Sequence, residues 1–278
     1  MKFATIRTAE GTRAVQLVKV DGADTHLDLG YDDLGLYLAA ELPVPPAGAT
    51  TYPVEGADFA PLVQNPSKII CVGHNYRNHI MEMGRDLPTY PTLFPKFSAS
   101  LVGANDDIVK PAETEALDWE VELVIVIGKP VRRATTVEAE EAIAGFSVMN
   151  DVSMRDWQFR TIEWTQGKIW DSSTPVGPYL VTPDELPGGV NPTLSVKTVV
   201  DGTVMQEDNT GTLLFNPVQL VQYISTIIRL NPGDLIATGT PGGVGHARDP
   251  KIYLAGGETV VTEIEGLGAC TNRVVTES

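Results

Sequence analysis

The sequence predicts a strand-rich α+β fold, on three observations. Short apolar runs bounded by Gly, Pro and Asn outnumber helical patterns, no regular strand–helix alternation appears, and a single long segment has a well-spaced helical face. The 278 residues, at roughly 150 per domain, correspond to about two units. A hydrophobic share of 42% with 20% charged residues is enough to build a core.

The elements follow in order. "KFATIRT" and "AVQLVKV" read as strands around the turn-rich "AEGTR", and "YDDLGLYLAAEL" as a short helix. The Pro- and Gly-rich "PVPPAGATTYPVEGADFAPLVQNPS" reads as a surface connector, so residues 1–65 are expected to be a small N-terminal domain with its linker. From Pro66 to Ser278 a larger catalytic unit is expected. "SKIICVG" is a continuous apolar strand, and "NYRNHIMEMG" a short helix ended by Gly84. "LDWEVELVIVIGKPV" is an interior strand, and "TVEAEEAIAGFSVMND" a Thr-capped helix feeding a strand that runs into Asn150 and Asp151. "PVGPYLVT", "LSVKTVVDGTVMQED" with its "VDGT" hairpin signal, "DLIATGT" and "ETVVTEIEGLGACTNRVV" supply further strands. "PVQLVQYISTIIRLNP" is the helix, with Leu220, Tyr223, Ile224, Ile227 and Ile228 at core spacing.

Charge narrows the function. Lys and Arg number 20 against 36 Asp and Glu, a formal charge of −16. That argues against non-specific binding to nucleic acid or anionic membrane, but not against an anionic substrate, because a metal or a few basic residues can invert the potential inside a cleft. Cys71 and Cys270 have no zinc-like spacing, and Cys71 in "KIICVG" reads as a buried reduced thiol. The charge-punctuated N-terminal stretch contains no apolar run long enough for a signal or a membrane span, which predicts a cytoplasmic chain.

The chemistry centres on "ALDWEVELVIVIG". In a strand, Glu120 and Glu122 share a face. If that face is solvated it is an ordinary edge. If it looks inward, the carboxylates need a cation, and Mg²⁺ or Mn²⁺ favours such oxygen ligands, with Asp151 as a third. His79 and Glu82, three apart on a helix, are neighbours able to form a water-activating pair or a plain surface pair. Lys168 is either an exposed loop charge or a neutraliser of a substrate carboxylate. "ATGTPGGVG" ends a strand in small residues that let backbone approach a ligand, without the Lys-Ser/Thr of a phosphate loop. His26 and His246 receive no role from their contexts.

The order of "CVGHNYRNHIMEMG", "LFPKFSASLVG", "DWEVELVIVIGKP", "GFSVMNDVSMRDWQ", "GKIWDSSTPVGP", "NPGDLIATGTPGGVG" and "GETVVTEIEGLG" resembles the fumarylacetoacetate hydrolase family from about residue 66 onward. The resemblance implies a mixed β-sandwich roll with a small N-terminal domain, forming a homodimer. It implies Glu120, Glu122 and Asp151 as ligands of Mg²⁺ or Mn²⁺, with Ca²⁺ in some members. It also implies His79 and Glu82 as the catalytic pair on a lid helix, Lys168 as the active-site lysine, and Arg155, Gln158 and Thr240 as substrate contacts. "IICVGHNY" lacks the fourth carboxylate of some members, and His74-Asn75-Tyr76 stands where Arg-Asn-Tyr is usual. The activity so implied is metal-dependent hydrolysis of a C–C bond in an acylpyruvate, such as fumarylpyruvate in aromatic-compound catabolism. Oxaloacetate decarboxylation and 2-hydroxyhepta-2,4-diene-1,7-dioate isomerisation are alternatives on the same site, and a non-catalytic binding module is the reading from another class.

Overall fold

The computed structural model describes residues 1–82 and 86–277, apart from the side chains of Asn78, His79 and Glu82. The first segment forms β1 (Lys2–Thr8), β2 (Gly11–Val20), β3 (Ala23–Asp28), the Asp33-capped helix α1 (Leu34–Ala39), β4 (Thr51–Pro53) and β5 (Asp58–Phe59). Next come β6 (Ile69–Gly73), α2 (Arg77–Glu82), β7 (Thr92–Lys96), β8 (Leu101–Val102) and β9 (Ile108–Lys110). Gly84, the expected terminator of α2, lies outside the described residues. β10 (Leu117–Asp118) and β11 (Val121–Ile127) precede α3 (Thr136–Ala142), whose capping box joins Thr135 and Glu138. β12 (Ile143–Asn150), β13 (Ser153–Met154), α4 (Arg155–Gln158) and β14 (Thr174–Val181) lead to the hairpin β15 (Ser195–Val200) and β16 (Thr203–Asn209). Asp201 and Gly202 turn that hairpin with φ of 46° and 77°, the paired left-handed geometry that a two-residue turn needs. α5 (Pro217–Ile227), β17 (Leu235–Ala237), β18 (Thr259–Ile264) and β19 (Gly268–Thr276) complete the chain.

A 12-stranded sheet runs β4-β3-β2-β1-β14-β12-β11-β17-β6-β7, with β5 on β1 and β8 on β14. Its pairs are antiparallel except β17 with β6 and β14 with β8. The N-terminal strands join it where Lys2 and Phe3 face Val181 and Leu180. A 5-stranded sheet, β16-β15-β18-β19-β9, lies against one face.

β11 shows why an uninterrupted apolar run was needed. Leu123, Ile125 and Ile127 enter the core shared with the second sheet and α5, while Val124 and Val126 enter the opposite core beneath α1 and β1. A strand buried on both faces cannot alternate with polar residues. Each fully buried aliphatic side chain contributes about 1.5–3 kcal/mol, so Val124→Asp would break the strand.

α5 departs from the expected pattern. Leu220 and Ile224 are buried, but Ile227 is 60% and Ile228 43% exposed. The buried stripe runs instead through Val218, Val221 and Ser225, because the segment before α3 docks there. Arg133 donates its N–H to the Ser225 carbonyl, and the Ser225 hydroxyl accepts from Ala134 N. Both cysteines are free and buried. Among the described residues, no helix is long and apolar enough to cross a membrane.

Candidate active site

The site forms where a strand is interrupted. β10 pairs with β13 and β11 with β12, and Trp119 and Glu120 fall between the two ladders. Glu120 therefore lies just before β11 and not within it, yet its side chain faces the same way as that of Glu122, as the spacing had suggested. Side chains accept the amides left over: Trp119 N donates to Asp118 Oδ1 (2.9 Å), Glu120 N to Asn150 Oδ1 (2.9 Å) and Val121 N to Gln206 Oε1 (3.1 Å). The fully buried Trp119 indole anchors the break among Leu117, Val152 and Met154. Asp151 N donates back to Glu120 O at 2.8 Å, which holds the residue after β12 against the break.

Glu120, Glu122 and Asp151 consequently converge, each offering a carboxylate oxygen within 4.8 Å of the others, all buried. Lys168 Nζ lies 2.7 Å from both Glu120 Oε2 and Asp151 Oδ2. Lys96 Nζ, fully buried on β7, lies 2.8 Å from Asp151 Oδ1, which accepts no well-aligned hydrogen bond. Arg155 donates from Nε to Asp118 Oδ2 (2.8 Å) and from Nη1 to Gln158 Oε1 (2.9 Å), its Nη1 lies 2.7 Å from Glu120 Oε1 in an ion pair, and its buried Nη2 has no hydrogen-bond partner among the described residues.

The charges do not balance. Among the described residues, Asp118, Glu120, Glu122 and Asp151 make four carboxylates against three cations, Lys96, Arg155 and Lys168. Burial opposes ionisation of Asp151, but Lys168 and Lys96 outweigh it and hold the carboxyl below its usual range. Burial likewise opposes the charged forms of Lys168 and Arg155, and their carboxylate partners outweigh it and raise both. Glu122 is the exception: burial, then Asp151 and Glu120, push its carboxyl well above the usual range. Its one backbone donor is Gly239 N, 2.8 Å from Oε2. Gly239 has φ of 101°, and a Cβ there would meet Val72 O at 2.9 Å. A hard divalent cation fits this cluster of buried oxygens: it supplies the countercharge that Glu122 lacks, and the donor set is all oxygen.

Above the acids lies a cavity of about 410 Å³. Glu120, Glu122, Arg155, Gln158, Lys168 and Thr240 line its polar end, and Phe94, Phe159 and Trp164 its apolar wall. Asp151, fully buried, is not part of the lining. Seven of the nine site residues expected from sequence are thus in one place. The side chains of the other two, His79 and Glu82, lie outside the described residues, although α2 runs through both positions.

Sequence reading missed several contributors. His246 lines the cavity, with Nδ1 2.8 Å from Tyr253 OH and its ring 5.0 Å from Phe159; burial, then Lys251 and Arg155, lower its pKa. Asp118 binds that loop by accepting from Gly245 N (2.8 Å) and His246 N (2.9 Å). A Cβ on Gly245 would sit 1.9 Å from Ile252 O, so "GGVGH" carried the signal of close backbone approach. His74, with φ of 53°, also lines the cavity, its ring edge-on to Trp164 at 5.1 Å. Lys96 was legible as a lysine inside the apolar strand "TLFPKF". Gln206 and Asn150 gave no local signal.

Residues 68–275 match the family model described as fumarylacetoacetate (FAA) hydrolase C-terminal. A mitochondrial oxaloacetate tautomerase of Rattus norvegicus is 41% identical over 239 residues, 86% of this chain and 74% of that one. A fumarylacetoacetate hydrolase from psychrophilic Exiguobacterium antarcticum has a similar structure, with TM-score 0.88, 33% identity and 100% of both chains covered. A 2-hydroxyhepta-2,4-diene-1,7-dioate isomerase from Mycobacterium marinum gives 0.81 at 31% identity, covering 100% of this chain and 99% of that one.

Proposed function

The chain belongs to the fumarylacetoacetate hydrolase family, and from that premise we propose that it is a divalent-cation-dependent enzyme that interconverts keto and enol forms of a small anionic 2-oxo acid, with oxaloacetate as its substrate. The observation that carries this is the buried, under-neutralised triad of Glu120, Glu122 and Asp151 beneath a cavity with a basic, hydrogen-bonding rim. The relatives named as tautomerases and the neighbour named as an isomerase support the same class of step, a proton shift through the enol of a 2-oxo acid.

Glu120, Glu122 and Asp151 would hold Mg²⁺ or Mn²⁺, which when bound would supply Lewis-acid polarisation of the 2-oxo oxygen. Arg155, with Nη2 unspent, and Gln158 bind and orient the substrate carboxylate. Lys168, kept cationic by Asp151 and Glu120, adds positive charge where the enolate develops. His79, with Glu82 one helical turn on, takes and returns the carbon-bound proton. Phe94, Phe159 and Trp164 exclude water from the reacting end. A homodimer in the cytoplasm belongs to this reading.

Acylpyruvate C–C hydrolysis, as in aromatic-compound catabolism, is the second reading. It is favoured by the His79–Glu82 spacing on α2, because the same pair can activate a water for attack on a distal carbonyl. The test runs oxaloacetate, fumarylpyruvate and 2-hydroxyhepta-2,4-diene-1,7-dioate with Mg²⁺, with Mn²⁺ and with excess chelator, following enol absorbance and products. Metal-dependent enolisation of oxaloacetate, lowered about 10²-fold or more in Lys168→Met, is expected. Fumarylpyruvate cleavage without oxaloacetate enolisation would replace the first reading by the second. No metal-dependent turnover of any would overturn both.

A further inference from the structure

Gln206, on β16 and 1% exposed, has all four of its amide hydrogen-bonding positions filled. Oε1 accepts from Val121 N (3.1 Å) and from Thr198 Oγ1 (2.8 Å), and Nε2 donates to Pro241 O (3.0 Å) and to Thr240 Oγ1 (2.8 Å). The orientation of this amide is not open to a flip. A backbone N–H can face only an acceptor, which fixes Oε1 toward Val121, and a backbone carbonyl can face only a donor, which fixes Nε2 toward Pro241. Thr240 Oγ1 must therefore accept from Gln206, so its own proton points elsewhere. Among the described residues no acceptor takes that proton, and Thr240 is half-buried at the cavity wall beside the acidic triad.

We propose that Gln206 is a positioning residue that turns the Thr240 hydroxyl proton into the cavity, where it selects for an acceptor on the substrate, a carboxylate or carbonyl oxygen. This rests on the 2-oxo acid reading and sharpens its specificity. A free hydroxyl rotor would serve acceptor and donor groups alike. With one lone pair engaged by Gln206 and no other acceptor among the described residues, the Thr240 proton is free to be given to an anion, and the donor role is favoured over the acceptor role. The same amide grips Val121, the residue between Glu120 and Glu122, so the donor and the metal-binding carboxylates are set in one frame by a single buried side chain. The substitution Gln206→Glu abolishes this arrangement: a carboxylate would accept the Thr240 proton and turn the threonine's lone pair to the ligand.

The experiment is a double-mutant cycle read by calorimetric binding of oxalate, a non-reacting anionic chelator, in the presence of Mg²⁺, with oxaloacetate KM and kcat measured alongside. Thr240→Val is expected to weaken oxalate binding about tenfold, the scale of one hydrogen bond to a charged group. Its KM should rise more than its kcat falls, and Thr240→Ser should restore both. Gln206→Glu is expected to weaken binding at least as much in the parent and by a clearly smaller factor in the Thr240→Val background, because the part of its effect that passes through that hydroxyl is absent there. Losses that multiply in the double variant would overturn the proposal, since Gln206 would then act independently of Thr240. Unchanged binding in Thr240→Val overturns it too, and that comparison decides the matter even when Gln206→Glu does not fold. A parent protein that binds no oxalate sinks the 2-oxo acid reading itself, an outcome distinct from both.

Discussion

Asp118→Asn tests the frame of the site without touching a proposed metal ligand. Asp118 accepts four bonds: Trp119 N and Gly245 N at Oδ1, and Arg155 Nε and His246 N at Oδ2. Asparagine keeps one oxygen, so whichever way its amide turns, two buried donors lose their acceptor and face an NH₂ group. Two unsatisfied donors cost about 1–3 kcal/mol each, and Arg155 keeps only Glu120 as a charged partner. A total of about 3–5 kcal/mol also matches removal of one member of a buried ion pair. At about 2 °C per kcal/mol for a chain of this size, Tm should fall by roughly 6–10 °C. The assay is a thermal melt at pH 7 followed by circular dichroism. Asp32→Asn is the control, because Asp32 is 74% exposed in its pairing with Arg13 and such pairs contribute at most about 1 kcal/mol. A Tm for Asp118→Asn within about 2 °C of the parent would refute the reasoning, since the frame would then not depend on these bonds.

Two further outcomes are expected. Glu122→Gln removes a buried carboxylate whose charged form is disfavoured by burial, Asp151 and Glu120. The metal-free variant should therefore melt higher than the parent at neutral pH and lose the Mg²⁺-dependent rise, which at 100-fold saturation is about 2.7 kcal/mol in the parent; a variant still stabilised by Mg²⁺ contradicts the ligand assignment. His26, buried with Nε2 2.9 Å from Tyr179 OH, has its pKa lowered by burial. The unfolded chain therefore binds a proton first as pH falls, so the contribution of His26 is present above about pH 6.5 and lost below it. Urea midpoints from pH 8 to 5 should decline less steeply in His26→Phe, and equal slopes would exclude His26 as the source.

Some of this protein was legible along the chain because the cause is local. The run Leu123–Ile127 predicts a strand covered on both faces, Asp201-Gly202 its turn geometry, and Thr135 with Glu138 a helix start. Glu120, Glu122, Asp151, Arg155 and Lys168 were accessible as residue types in an ordered set of motifs. Tertiary structure decided the rest. Spacing placed Glu120 on a strand with Glu122, but the chain leaves one ladder for another at Trp119, because β10 and β11 belong to different sheets. The apolar face of α5 was misjudged at Ile227 and Ile228 because the docking of Ser225 against the segment before α3 sets which stripe is covered. Lys96, Gln206 and His246 reach the site from separate strands and loops, all far from Asp151 along the chain. Periodicity reports only neighbours within a turn or a pleat, whereas the countercharges and hydrogen-bond partners of a buried site come from whichever elements the sheet order brings together.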